Sequence, residues 1–112
     1  MLFRSADQGA KAIAAARATQ AQVKTIFGLS DAPAWKKVGV TPMIGVNDSR
    51  NEIFLQKDAR ALVNFAKTVH LGMLSFWSQN RDANACTGAL YKCTNISQSP
   101  YEFARIFAAY TG

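Results

Sequence analysis

Val38-Gly39-Val40-Thr41-Pro42-Met43-Ile44 is a short apolar run rich in β-branched residues, and Gly72-Met73-Leu74-Ser75-Phe76-Trp77 repeats its character further along the chain. Each run is too brief for a helix, so both read as buried strands. Pro42 removes one ladder donor and therefore belongs near a strand end or at an irregularity. Between the two runs, residues 45–52 are polar and turn-like. After them Ala59, Leu62, Val63, Ala66 and Val69 fall on one helical face with Phe65 beside it, which predicts a helix ending at Gly72.

Outward from this centre the pattern alternates. Upstream, Ser5 and Gln8 form a capping-box pair, Ile13, Ala16, Val23, Ile26 and Phe27 recur at helical spacing, and Gly28 is placed to stop the helix. A helix is predicted over about residues 7–27. Asp31 ahead of Pro33 offers a cap and a first-turn proline for a short helical turn running through Trp35 to Lys37. Downstream, residues 78–98 are rich in Asn, Ser, Thr and Gly and read as one long loop. Ser99, Pro100 and Glu102 then start a last helix, with Phe103, Ile106, Phe107 and Tyr110 as its inward stripe.

The order helix, strand, helix, strand, helix implies parallel strands joined by right-handed crossovers. Two such strands need sheet neighbours on both sides, so the chain reads as an α/β segment of a larger array, a single partial domain over 1–112.

Thirteen Lys and Arg against seven Asp and Glu give a net charge of +6. The cations are scattered singly, apart from the adjacent Lys36 and Lys37, as on solvated helix faces, and no nucleic-acid partner is expected. No apolar run approaches a membrane span. The opening Met1-Leu2-Phe3-Arg4 lacks the layout of an export signal. His70 is the single histidine, no four-ligand metal set can be assembled, and no cofactor is expected. Cys86 and Cys93 can close a small disulfide loop or stand as two free thiols, and the sequence leaves both open.

In parallel barrels active sites gather on the loops after strand ends, here residues 45–48 and 77–82, which should present Asn47, Asp48, Trp77, Asn80, Arg81 and Asp82 to one surface. Trp77 ends an apolar run and opens a polar one. Its indole suits the flat face of a pyranose, although aromatics at strand ends usually pack in a core. Asp48 and Asp82 invite an acid/base pair, yet each also fits a turn cap or a partner for a cation. No nucleophile elbow or Gly-rich phosphate loop is present. His70 is placed to meet the carbonyls at a helix end.

The run Val38 through Ile44, continued by Gly45-Val46-Asn47-Asp48, together with Gly72 through Trp77 and Ser78-Gln79-Asn80-Arg81-Asp82, resembles the end of bacterial chitinases of glycoside hydrolase family 18. Pro100-Tyr101-Glu102-Phe103-Ala104-Arg105-Ile106-Phe107 is similar to their last barrel helix. Val46 departs from the glutamine usual at its position. The resemblance implies a TIM (β/α)8 barrel of which this chain supplies the C-terminal segment, the last two β/α units plus the preceding helix. It also implies retaining, substrate-assisted cleavage of β-1,4-linked N-acetylglucosamine polymers, with a glutamate closing a D-x-x-D-x-D-x-E motif as proton donor. That motif does not occur here: Glu52 and Glu102 are the two glutamates, and neither has the context.

By the same resemblance Trp77 matches the floor beneath the cleaved sugar, and Met43 and Asp48 match the seventh-strand motif. The expectations are therefore a substrate-binding face without catalytic residues, inactive alone, with chitin or chito-oligosaccharide as ligand. The earlier barrel portion or self-association would complete the sheet, and a secreted location follows from the family. A non-catalytic chitin-binding module is the alternative.

Overall fold

The computed structural model describes residues 8–49, 51–84 and 86–112, so Ser5 and Asp7, and with them the expected start of the first helix, lie outside the described residues. Helix α1, Gln8–Phe27, is closed by Gly28 in the left-handed region, and the Leu29 N–H donates to the Lys24 carbonyl at 3.1 Å. Ala16 is buried and Ile13 and Val23 partly so, but Ile26 and Phe27 stand 72% and 61% exposed, against the expected inward stripe. In a helix this rich in alanine the apolar stripe is weak, and it does not by itself fix which face of the last turn is covered. The Lys37 ammonium lies over the Phe27 ring instead.

Helix α2 spans Asp31–Trp35 and stops short of Lys37. Asp31 is not its cap, because Ser30 holds that position. The Asp31 carboxylate, already inside the first turn, pairs with Lys24 at 2.6 Å and accepts from Gln20 Nε2 at 3.2 Å, and these partners hold its pKa below the ordinary 3.8.

The two apolar runs lie side by side and parallel. Strand β1, Gly39–Val40, pairs with Met73–Leu74, with Gly39 opposite Met73 and Val40 opposite Leu74. The ladder breaks at Pro42, which has no N–H to give, and resumes as a parallel bridge between Met43 and Trp77. The Pro42 carbonyl still accepts from the Trp77 N–H at 2.8 Å, and the Ile44 N–H donates to the Trp77 carbonyl at 3.0 Å. Among the described residues neither strand pairs along its other edge.

The expectation of two fully buried strands is corrected. Val38 and Ile44 are buried, but Gly39 and Met73 are exposed and Val40, Leu74 and Phe76 are half-covered, because among the described residues no further strand flanks the pair.

The segment read as a plain turn folds as a β-hairpin, with β2, Gly45–Val46, antiparallel to β3, Ile53–Phe54. Gly45 has φ +71, and a Cβ there would sit 2.5 Å from Thr94, so only glycine fits. Helix α3, Gln56–Val69, ends before Gly72: His70 turns left-handed, and its backbone N–H, not its imidazole, meets the Ala66 carbonyl. Gly72 abuts the Lys36 carbonyl with no room for a side chain. At the other end, Asp58 Oδ2 accepts from the Leu55 N–H at 2.8 Å and Oδ1 from the Gly9 N–H at 3.1 Å, so one buried carboxylate joins the starts of α3 and α1.

With Met73–Leu74 as β4, the chain continues into α4, Gln79–Ala83, within the stretch read as uninterrupted loop, and closes with α5, Glu102–Phe107. Helix α3 packs against both α1 and α5. Ile44, Leu62, Leu71 and Phe103 are fully buried between these layers, each stabilising the fold by about 1.5–3 kcal/mol. Phe76 stacks on Phe107 at 5.3 Å, tying the end of the parallel pair to α5, and Trp35 meets Phe65 edge-on at 5.4 Å.

Candidate functional site

Where the parallel pair ends, the chain leaves an open groove of about 540 Å³ lined by Thr41, Met43, Asp48, Trp77, Leu90 and Tyr91. Its base is the bridge between Met43 and Trp77, which sets those two side chains at neighbouring strand ends. The Thr41 and Ser75 hydroxyls are 2.8 Å apart across the pair. On one flank the hairpin turn presents Asp48. Asn47 does not face a ligand: its Nδ2 donates to the Met43 and Gly45 carbonyls, both at 2.9 Å, and so shapes the turn that carries Asp48.

Trp77 is 62% exposed, at odds with a core position, and the peptide that follows it is cis. Leu90 and Tyr91 complete the lining from a loop closed by a disulfide between Cys86 and Cys93, whose Cα atoms are 5.1 Å apart. Tyr91, 73% exposed, was not singled out by sequence because a lone aromatic in a polar loop has no periodicity to betray it.

Arg81 and Asp82 are not offered to this surface, as the loop reading expected: both are fully buried. The Arg81 guanidinium points inward, with Nε donating to the Leu90 carbonyl at 2.6 Å. Nη2 donates to the Val46 and Cys93 carbonyls at 2.6 and 3.1 Å, and Nη1 to that of Ile44. Burial draws its pKa below the ordinary guanidinium value, and the charge of Asp48 opposes that shift.

Asp82 caps α5 from 21 residues away. Its Oδ1 accepts from the Phe103 N–H at 3.0 Å and from Gln98 Nε2 at 2.9 Å, and its Oδ2 from the Ala104 N–H at 2.9 Å. Among the described residues Asp48 is thus the one carboxylate lining the groove, and no second carboxylate joins it there. Asn80 is exposed and donates to the Tyr91 carbonyl at 3.3 Å. Among the described residues no group of three or more His, Cys, Asp or Glu could hold a metal ion.

An exposed indole, a thioether and a phenol around one carboxylate make a surface for a flat, hydroxylated ligand with an apolar face. No family model matches the chain. A probable bifunctional chitinase/lysozyme of Escherichia coli (strain K12) is 38% identical over 85 residues, 73% of this chain and 10% of that protein. Endochitinase 11 of Metarhizium anisopliae is 42% identical over 65 residues, 58% of this chain and 12% of that one.

Among solved structures, catalytic-site mutants of active domain 2 of the thermostable chitinase from Pyrococcus furiosus, complexed with chito-oligosaccharides, superpose with a TM-score of 0.83 at 33% identity. The match covers 90% of this chain and 34% of that one. The catalytic domain of the hyperthermophilic chitinase from the same organism gives the same values. The chain therefore spans about a tenth of the curated relatives' length and about a third of the solved domain's, and the relatives come from organisms too varied to single out a bacterial origin. By sequence and by fold, it is a homologue of the chitinases of glycoside hydrolase family 18.

Proposed function

We propose that the chain is the C-terminal segment of a chitinase-like TIM barrel, the last two β/α units with the preceding helix, and that its groove is part of a chitin-binding face. The observation that carries this reading is Trp77, largely exposed in the bridge to Met43 beyond the end of β4 and lining the same groove as Asp48. A pyranose of β-1,4-linked N-acetylglucosamine would lie on the indole, with the Asp48 carboxylate accepting from a hydroxyl or amide N–H. The disulfide suits a secreted protein.

Hydrolysis is assigned to residues outside this chain. The acidic motif that closes on the proton-donating glutamate in the family does not occur in its sequence, and Asp82, which could have answered Asp48, is occupied as a helix cap. The chain alone is expected to bind without cutting. The same groove would serve a non-catalytic chitin-binding module, and retention without turnover is common to both readings.

The test is retention of the purified protein on chitin together with an assay of chito-oligosaccharide cleavage. Retention that falls about tenfold or more in Trp77→Ala, with no cleavage by either protein, is the expected result. Turnover abolished by Asp48→Ala would overturn the non-catalytic assignment, and retention indifferent to Trp77→Ala would overturn the platform.

A further inference from the structure

From the way the 86–93 loop is held, and resting on the sugar-binding reading above, we infer that Tyr91 is a second aromatic contact for the oligosaccharide, presented by a disulfide-clamped loop to the groove that it lines with Trp77. The loop's backbone is fixed from several directions while the Tyr91 side chain is left in solvent. Arg81 Nε holds the Leu90 carbonyl at 2.6 Å, Asn80 Nδ2 holds that of Tyr91 at 3.3 Å, and Arg81 Nη2 holds that of Cys93 at 3.1 Å. The Cys93 and Lys92 N–H groups donate to the Ala89 carbonyl at 3.0 and 3.1 Å. Asn95 pins Gly88 from both sides, accepting from its N–H at 2.7 Å and donating to its carbonyl at 3.2 Å. The Cys86–Cys93 bond closes the ends.

A phenol 73% exposed on so constrained a backbone gains little from the fold itself. For a ligand it is pre-organised, since the ordering entropy of the loop is met before binding and contact costs only the tyrosine's own few rotamers. It lines the same groove as Trp77 and Asp48, which sets it to touch a sugar that rests on Trp77.

The experiment measures affinity of the full 112-residue chain for chitotetraose by calorimetry in wild type, Trp77→Ala, Tyr91→Ala, Tyr91→Phe, and Cys86→Ser with Cys93→Ser. Circular dichroism verifies that each variant is folded. Tyr91→Ala should weaken binding about tenfold, Tyr91→Phe should restore it, and the serine pair should weaken wild type severalfold while adding little to Tyr91→Ala. Wild-type affinity in Tyr91→Ala, with loss in Trp77→Ala, would overturn this inference and leave the sugar-binding reading standing. No binding by wild type would overturn both. Full affinity in the serine pair would remove the clamp from the account.

Discussion

Arg81 donates four hydrogen bonds to main-chain carbonyls of two separate segments: Ile44 and Val46 where the strand runs into the hairpin, and Leu90 and Cys93 in the disulfide-closed loop. Among the described residues no carboxylate pairs with it, and Asp48 acts on it through its charge. A buried cation satisfied by carbonyls alone is tolerable because each contact is charge-assisted, and it fixes the relative positions of the strand ends and the loop at once. Arg81→Met would leave those carbonyls without donors. It should lower stability by on the order of 3 kcal/mol or more, read as the midpoint of urea unfolding; a loss under about 1 kcal/mol would show that the carbonyls find water and that the staple is dispensable. Sequence could not announce this role. Arg81 sits in a polar stretch that looks solvated, and its partners are 9 to 37 residues distant.

Among the elements, those with a periodic signature were legible: the stripe from Ala59 to Val69 became α3, and the two apolar runs became the parallel pair. The β2–β3 hairpin was hidden because two-residue strands are too short to show alternation. Helix α4 was hidden by its polarity. The start of α5 was read in part. Glu102 does reach back to the Ser99 N–H at 3.1 Å, as a capping box requires, but the helix N–H groups are capped by the distant Asp82.

Glu102 also accepts from Gln56 Nε2 at 3.1 Å, linking α5 to α3. That hydrogen bond, seconded by the Ser99 N–H and the charges of Arg105 and Arg60, holds its pKa below the ordinary 4.5 against the opposing effect of burial. A carboxylate with a depressed folded-state pKa stabilises fully above the ordinary value and loses that contribution as pH falls through the folded one. Acidification from pH 6 to about pH 3 should therefore cost wild type more stability than it costs Glu102→Gln, measured as urea midpoints across that range. Parallel curves for the two proteins would remove Glu102 from the docking of α5.

At the scale of the whole molecule, the parallel pair has a covered side and bare margins. Ile44 and Val38 are sealed beneath the helices, whereas Met73 is 55% exposed and no described strand lies along either outer edge. An unpaired parallel edge is a place for more sheet, which supports the proposal that the chain is part of a larger barrel with the groove at the carboxyl ends of its strands. Trp77 is legible as a candidate from its position at the change from apolar to polar sequence, while Tyr91, alone in a polar loop, reaches the groove only through the fold of the disulfide loop. The most direct measurement is chemical-shift mapping of the labelled protein titrated with chitotetraose. The account predicts saturable shifts concentrated on the Trp77 indole N–H and the amides of Met43, Asp48 and Tyr91. Shifts confined to the opposite end of the strands, around His70 and Gly72, or none at all, would contradict it.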